Sequence, residues 1–236
     1  MTTSALQTSL RAQKRSLRKT ISAALGNIPI TSIDAQSKAI TDKICSLTIF
    51  KRAKAVSCYL SMPSGEVTTS SLSTSIITHS GKRLFVPKIL NKDGIMDFFE
   101  IFNENDLATL PSGTWGIKEP DSQWEGKSRT TALSADSHIL DLILLPGVAF
   151  DRSWSRLGHG KGYYDRFIST YTSSKGRPLL VGLALREQLL DAGSVPTGEL
   201  DWKMDIIVTP DEILVNPSLE GAGAENPLTA QFSDSS

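Results

Sequence analysis

The stretch Pro146-Gly-Val-Ala-Phe-Asp-Arg-Ser-Trp-Ser-Arg-Leu-Gly-His-Gly-Lys-Gly-Tyr-Tyr-Asp165 concentrates glycines, cations, an aromatic pair and a carboxylate in one segment. Gly158, Gly160 and Gly162 lack side chains, so a curled loop can aim several backbone N–H groups at one anion. Arg156 and Lys161 add positive charge, and Asp165 can hold a hard metal ion beside the same phosphates. Glycines alone would equally suit a surface turn after a buried strand; the added Arg, Lys, Tyr-Tyr and Asp point to an anion site. It is not a P-loop, because Ser155 stands where the first glycine belongs and Gly162 follows Lys161. Nor is it a dinucleotide fingerprint, because Tyr163 breaks the Gly-x-Gly-x-x-Gly spacing.

Elements must hold that loop, and the chain supplies them in alternation. Leu6, Leu10, Leu17, Ile21 and Leu25 predict an amphipathic helix that Gly26 stops. A second helix is expected over 33–47, capped by Ser32, with Ile33, Ile40, Ile44 and Leu47 as its apolar stripe. Ala55–Leu60 reads as a buried strand that runs into the loop Ser61–Glu66, followed by a helix over 69–79 that Gly81 ends. Short strands follow at 84–87 and 96–102. Residues 103–137, broken by Pro111, Gly113, Gly116 and Pro120, read as a long ordered loop region. Ile139–Leu145 is a nearly continuous apolar strand interrupted by Asp141, the pattern of a sheet covered on both faces. A helix over 164–171 and strands at 179–184 and 205–208 complete the alternation. The expected fold is a single three-layer α/β domain over 1–215, with a largely parallel sheet flanked by helices. From Asn216 the composition predicts a disordered tail. Ligands of such a sheet gather beyond the carboxyl ends of strands, where both loops fall.

Composition narrows the function classes. With 39% hydrophobic and 21% charged residues in 236, the chain has the make-up of a soluble globular protein, and no apolar run is long enough to cross a bilayer. Cys45 and Cys58 stand apart from each other and from His79, His138 and His159, which argues for reduced thiols, against structural zinc, and for a hard metal held by oxygen. Residues 1–54 carry ten Lys or Arg against Asp34 and Asp42, although the whole chain is neutral. That basic quarter lacks interleaved aromatics, so nucleic acid is not expected as a partner. Its Ser/Thr-rich, acid-free start suits a mitochondrial presequence, although a mostly uncleaved cytoplasmic protein is the favoured expectation; separately, a monomer is expected.

Three ordered stretches carry a family resemblance: Lys14-Arg-Ser-Leu-Arg18, Tyr59-Leu-Ser-Met62 leading to Glu66, and Leu145-Pro-Gly-Val-Ala-Phe-Asp151 with Arg156-Leu-Gly-His-Gly-Lys-Gly-Tyr-Tyr-Asp165. Together, over about residues 10–215, they resemble the 5-formyltetrahydrofolate cyclo-ligases, also called 5,10-methenyltetrahydrofolate synthetases. The resemblance implies an enzyme that uses ATP and Mg²⁺ to close 5-formyltetrahydrofolate, with or without a polyglutamate tail, to 5,10-methenyltetrahydrofolate. ADP and phosphate would be released through a phosphorylated formyl intermediate. Phosphoryl transfer asks for positioning and charge neutralisation, and that matches the residues present.

By the same resemblance, Lys14, Arg15, Ser16, Leu17 and Arg18 contact ATP from the first helix, with Lys14 and Arg18 on one face. Arg156, Leu157, Gly158, His159, Gly160, Lys161, Gly162, Tyr163 and Tyr164 wrap the triphosphate, and Lys161 and Arg156 are the catalytic cations. Leu60, Glu66, Trp115, His159 and Tyr163 line the folate site, with the Glu66 carboxylate accepting pterin N–H bonds. Asp165 and Asp201 hold Mg²⁺, and Asp205 competes with Asp201 for that role. The sequence departs from the family pattern at His159, where arginine is common, and at Gly65, one extra residue before Glu66. The alternative is a sugar-phosphate isomerase or coenzyme A transferase-like enzyme, which would need no ATP. A non-catalytic folate-binding protein is a third reading, opposed by the intact Lys161, Asp165 and Glu66.

Overall fold

Short apolar runs become the central strands here, and amphipathic stretches become helices that cover them. The computed structural model describes residues 3–91, 94–113 and 116–222. Its helices are α1 (Thr3–Leu25), α2 (Ile30–Ser46), α3 (Thr48–Arg52), α4 (Ser70–Thr78), α5 (Glu104–Ala108) and α6 (Tyr163–Lys175). The strands are β1 (Ala55–Cys58), β2 (Arg83–Ile89), β3 (Met96–Ile101), β4 (Gln123–Trp124), β5 (Lys127–Ser128) and β6 (Leu142–Leu145). They continue with β7 (Ala149–Asp151), β8 (Arg156–Leu157), β9 (Leu179–Leu183), β10 (Leu189–Leu190), β11 (Ile206–Val208) and β12 (Ile213–Val215).

The main sheet runs β12-β11-β9-β6-β1-β2-β3, parallel throughout except for the antiparallel edge pairs β2/β3 and β11/β12. Side chains of β6 alternate between two cores. Leu142 and Leu144 pack with Ile21 of α1, Ile40 of α2 and Leu72 of α4; Ile143 and Leu145 pack with Phe167, Ile168 and Tyr171 of α6. Both faces are therefore covered, the three-layer α/β arrangement expected, and a strand covered on both faces is apolar at every position. No helix among the described residues is long and apolar enough to cross a membrane.

The strand order also fixes where ligands can enter. From adjacent β1 and β6 the chain departs in opposite directions, to β2 on one side and, in the main sheet, to β9 on the other. Such a divergence opens a crevice beyond the carboxyl ends of the two strands. The loop after β1 carries Glu66, and the chain after β6 carries Gly158–Gly162.

Several local expectations change. Strand β6 starts after Asp141, whose Oδ2 accepts from the backbone N–H of Lys54 (2.7 Å) and Ala55 (2.9 Å). Helix α2 begins at Ile30 with Pro29 at its cap, and Ser32 sits in the first turn, its N–H bonded to the Pro29 carbonyl at 2.9 Å. Pro29 has no N–H, so that end carries one unpaired donor fewer. The 103–137 segment holds α5, capped by Asn103 Oδ1 accepting from Asp106 N at 2.9 Å, and the β4/β5 hairpin. Positive φ at Glu125 (48°) and Gly126 (76°) gives that hairpin a twist matching its strands. Ordered structure continues past residue 215: Pro217–Ala222 forms a 3₁₀ turn and Leu219 packs on the core. The rest of the predicted tail, residues 223–236, lies outside the described residues.

Candidate active site

Beyond β6 the chain makes a small sheet, in which β7 pairs antiparallel with β8 and parallel with β10. Arg156 and Leu157 are thus strand residues, both buried. The stretch expected to wrap a triphosphate from 156 to 164 has Arg156 and Leu157 in strand β8, Gly158–Gly162 as its loop and Tyr163 and Tyr164 in the first turn of α6; Arg156 and Leu157 still line the cavity between this loop and α1. Gly160 (φ 98°) and Gly162 (φ 68°) occupy the left-handed region that favours glycine, so the loop can turn directly into the first turn of α6. The unpaired N–H groups of that turn and the helix dipole favour an anion.

Cations converge on this turn. Arg18 Nε donates to the Gly158 carbonyl at 2.7 Å, and a Cβ on Gly160 would stand 3.3 Å from the Arg18 guanidinium carbon. Arg156 Nη2 bonds Asp165 Oδ2 at 2.9 Å, with its guanidinium 5.6 Å from the Tyr164 ring centre. Lys14 Nζ holds both oxygens of Asp201, at 2.6 and 2.5 Å. Trp202 N donates to Asp165 Oδ1 at 3.2 Å and Gly198 N to Asp201 Oδ2 at 2.6 Å, so backbone donors orient both carboxylates. Arg11, Lys14, Arg18, Arg156, Asp165 and Asp201 together line a cavity of about 400 Å³ floored by the glycines. Four cations against two carboxylates leave it net positive, as a polyphosphate requires.

A second cavity, of about 290 Å³, opens on the other side of the loop. Tyr59, Leu60, Met62, Pro87, Ile89, Met96 and Ile117 make it an apolar slot, into which Glu66 and Glu119 bring carboxylates. Glu66 is 5% exposed, and its one hydrogen bond among the described residues is from Met62 N to Oε1 at 2.5 Å. Burial pushes its carboxyl up to about 7, against the opposing effect of the Met62 bond. His159, Lys161, Tyr163 and Tyr164 close the slot from the loop side. Partial desolvation, and then the Arg156 and Arg18 cations, hold His159 below its ordinary value, so it is neutral at pH 7. Arg156, Gly158, Gly162 and Asp165 line both cavities and form their common wall.

Residues 10–210 match the model of the 5-formyltetrahydrofolate cyclo-ligase family. The chain belongs to that family. A probable 5-formyltetrahydrofolate cyclo-ligase of Schizosaccharomyces pombe is 37% identical over 210 residues, 86% of this chain and 98% of the relative. One from Caenorhabditis elegans is 35% identical over 208 residues, covering 87% and 97%. Among solved structures, the 5,10-methenyltetrahydrofolate synthetase of Aquifex aeolicus superposes with a TM-score of 0.68 at 28% identity, over 86% of this chain and 92% of that one.

In this cyclo-ligase, most of the residues singled out in the sequence lie around the two cavities. Lys14, Arg18, Arg156, Gly158, Gly160, Gly162, Asp165 and Asp201 line the cationic one; Leu60, Glu66, His159, Lys161, Tyr163 and Tyr164 line the apolar one. Arg15 and Ser16 are exposed outside both, and Leu17 packs against the core, so only the Lys14/Arg18 face of α1 meets the loop. Asp205 is corrected: it pairs with Arg177 at 2.7 Å and accepts from Leu180 N at 2.8 Å, at the amino ends of β9 and β11, whereas the crevice lies at the carboxyl ends. Trp115 lies outside the described residues. Sequence reasoning missed Arg11, which the helical spacing to Lys14 and Arg18 signals, and it missed Pro87, Ile89, Met96, Ile117 and Glu119.

Proposed function

We propose that this cyclo-ligase uses ATP and Mg²⁺ to convert 5-formyltetrahydrofolate to 5,10-methenyltetrahydrofolate, ADP and phosphate. The observation that carries the reading is the common wall: a triphosphate in the cationic cavity and a pterin in the apolar slot would bring the γ-phosphate to the formyl oxygen beside Arg156. Family membership sets aside the isomerase and transferase-like alternatives.

The chemistry explains the residues. A formamide oxygen is a poor leaving group. Its attack on the γ-phosphorus forms a P–O bond and breaks the bond to ADP, giving an iminium phosphate. The N10 lone pair then forms the C–N bond, its proton goes to solvent, and the C–O bond breaks to release phosphate. Charge builds on phosphoryl oxygens throughout, so Lys14, Arg18 and Arg11 act by neutralisation from the cationic cavity, Lys161 reaches the transferred phosphate from the slot side of the loop, and Arg156 stands at the common wall held by Asp165. Glu66 accepts N–H bonds from the reduced pterin, and the Tyr59, Met62 and Ile89 surfaces keep water from the reactive iminium.

Two carboxylates on one wall, with no larger group of His, Cys, Asp or Glu suited to a metal among the described residues, form a small hard-oxygen set. That set suits a Mg²⁺ that keeps waters and takes phosphate oxygens. Asp165 and Asp201 would hold it; when bound it supplies charge neutralisation and orientation to the phosphates. The Arg156 and Lys14 partners of these carboxylates would then be freed towards phosphate. Because Lys14 and Arg18 line the site, a functional chain keeps its first helix. Purified protein given 5-formyltetrahydrofolate, ATP and Mg²⁺ is expected to raise the absorbance of conjugated methenyl folate, dependent on ATP. No rise across pH and Mg²⁺ would contradict the reading.

A further inference from the structure

One cation at the loop faces neither cavity. Arg166, in the second turn of α6, makes no ion pair among the described residues; its guanidinium bonds two backbone carbonyls from different parts of the chain. Nε donates to Gly94 at 3.1 Å and Nη2 to Lys161 at 2.5 Å, with the guanidinium carbon 5.8 Å from the Tyr163 ring centre. Gly94 is buried with φ 95°, and a Cβ there would fall 1.9 Å from Arg166 Nη2. On the loop side, a Cβ on Gly162 would fall 3.0 Å from Nη1. Two glycines thus make the seat in which this guanidinium lies.

Gly94 belongs to the connection between β2 and β3, closed by Leu90 N donating to the Ile95 carbonyl at 2.9 Å. Those strands contribute Pro87, Ile89 and Met96 to the apolar slot, and Lys161 belongs to the phosphate loop. We propose that Arg166 is a positioning residue that joins the β2–β3 hairpin to the phosphate loop, so that nucleotide and folate each strengthen binding of the other. This rests on the function proposed above, since it takes the two cavities as sites for those two ligands. Whatever fixes the loop around phosphates also fixes Lys161's carbonyl, and through one rigid planar group the wall of the folate slot. The coupling is reciprocal by thermodynamic necessity. Lysine could not replace the residue, because a point ammonium lacks the planar fork that spans two carbonyls.

The test is calorimetric binding to the full chain, with a non-hydrolysable ATP analogue plus Mg²⁺ and 5-formyltetrahydrofolate, each titrated alone and over the other. Wild type is expected to show each ligand tightening the other by about five-fold or more. Arg166→Lys is expected to bring that factor close to one while leaving each single-ligand affinity within about three-fold. Gly94→Ala, which attacks the same seat from the other side, should do likewise, and the double variant should lose no further coupling. Thermal melts check that each variant folds. Independent binding in wild type, or coupling preserved in both folded variants, would overturn the proposal. Failure of wild type to bind either ligand would overturn the underlying function and this proposal with it, a result distinct from independent binding.

Discussion

Replacing Glu66 by Gln should stabilise this protein while weakening its function. The carboxyl lies 5% exposed in an apolar slot, with one hydrogen bond from Met62 N, and burial raises it from 4.5 to about 7. A rise of that size puts about 3 kcal/mol of penalty on the ionised form; allowing for relaxation on ionisation, about 2–3 kcal/mol is expected. The sign follows from linkage. Below the unfolded-state value near 4.5, Glu66 is neutral in both states and costs nothing. As pH rises the unfolded chain ionises first, so stability falls until the folded group ionises near 7, and the loss is complete above that. Glutamine keeps an oxygen to accept from Met62 and never ionises. Urea unfolding at pH 4.5 and pH 8.5 should therefore give nearly equal stabilities for the two proteins at the lower pH and a gain of about 2–3 kcal/mol for Glu66→Gln at the higher. The same variant should bind folate about ten-fold or more weakly, having lost the charged acceptor for pterin N–H groups. An unchanged stability difference across that pH range would refute the reasoning that burial raises the Glu66 carboxyl and penalises its ionised form.

Other outcomes follow from the same geometry. Lys161→Ala, a change at an exposed side chain, should leave the melting temperature unchanged while lowering kcat/KM for ATP by about ten- to a hundred-fold; wild-type turnover would remove Lys161 from the site. Asp201→Asn should raise the Mg²⁺ concentration needed for half-maximal turnover by about ten-fold, and an unchanged Mg²⁺ titration would exclude Asp201 as a ligand. Arg129→Ala, far from the chemistry, should cost about 3–5 kcal/mol in urea unfolding, because it strands Asp106 in the interior where the pair is held by two bonds of 2.5 Å; a loss below about 1 kcal/mol would show that the pair is not isolated from water.

How far the sequence could be read depended on whether a signal was local. Leu142–Leu145 was legible because a strand covered on both faces is apolar at every position, and α6 because its stripe of Phe167, Ile168 and Tyr171 follows a glycine stop. Strands β7, β8 and β10, of two or three residues, carry too short a pattern to show a period, so Arg156 read as loop although its backbone is in a ladder. The glycine loop that joins the two cavities was legible because its glycines and charges are contiguous in sequence. The apolar slot was not: Pro87, Ile89, Met96, Ile117 and Glu119 come from separate segments, and only the sheet order brings them opposite Glu66. Asp205 stood as the competitor of Asp201 because spacing along the chain does not say which end of a parallel sheet a carboxylate occupies.

The central claim, that the formyl oxygen takes the γ-phosphate where the two cavities meet, is tested most directly by an isotope. Single turnover of 5-formyltetrahydrofolate labelled with ¹⁸O in its formyl group should deliver that oxygen to inorganic phosphate, one label per methenyl product formed. Label appearing in water, with unlabelled phosphate, would contradict it.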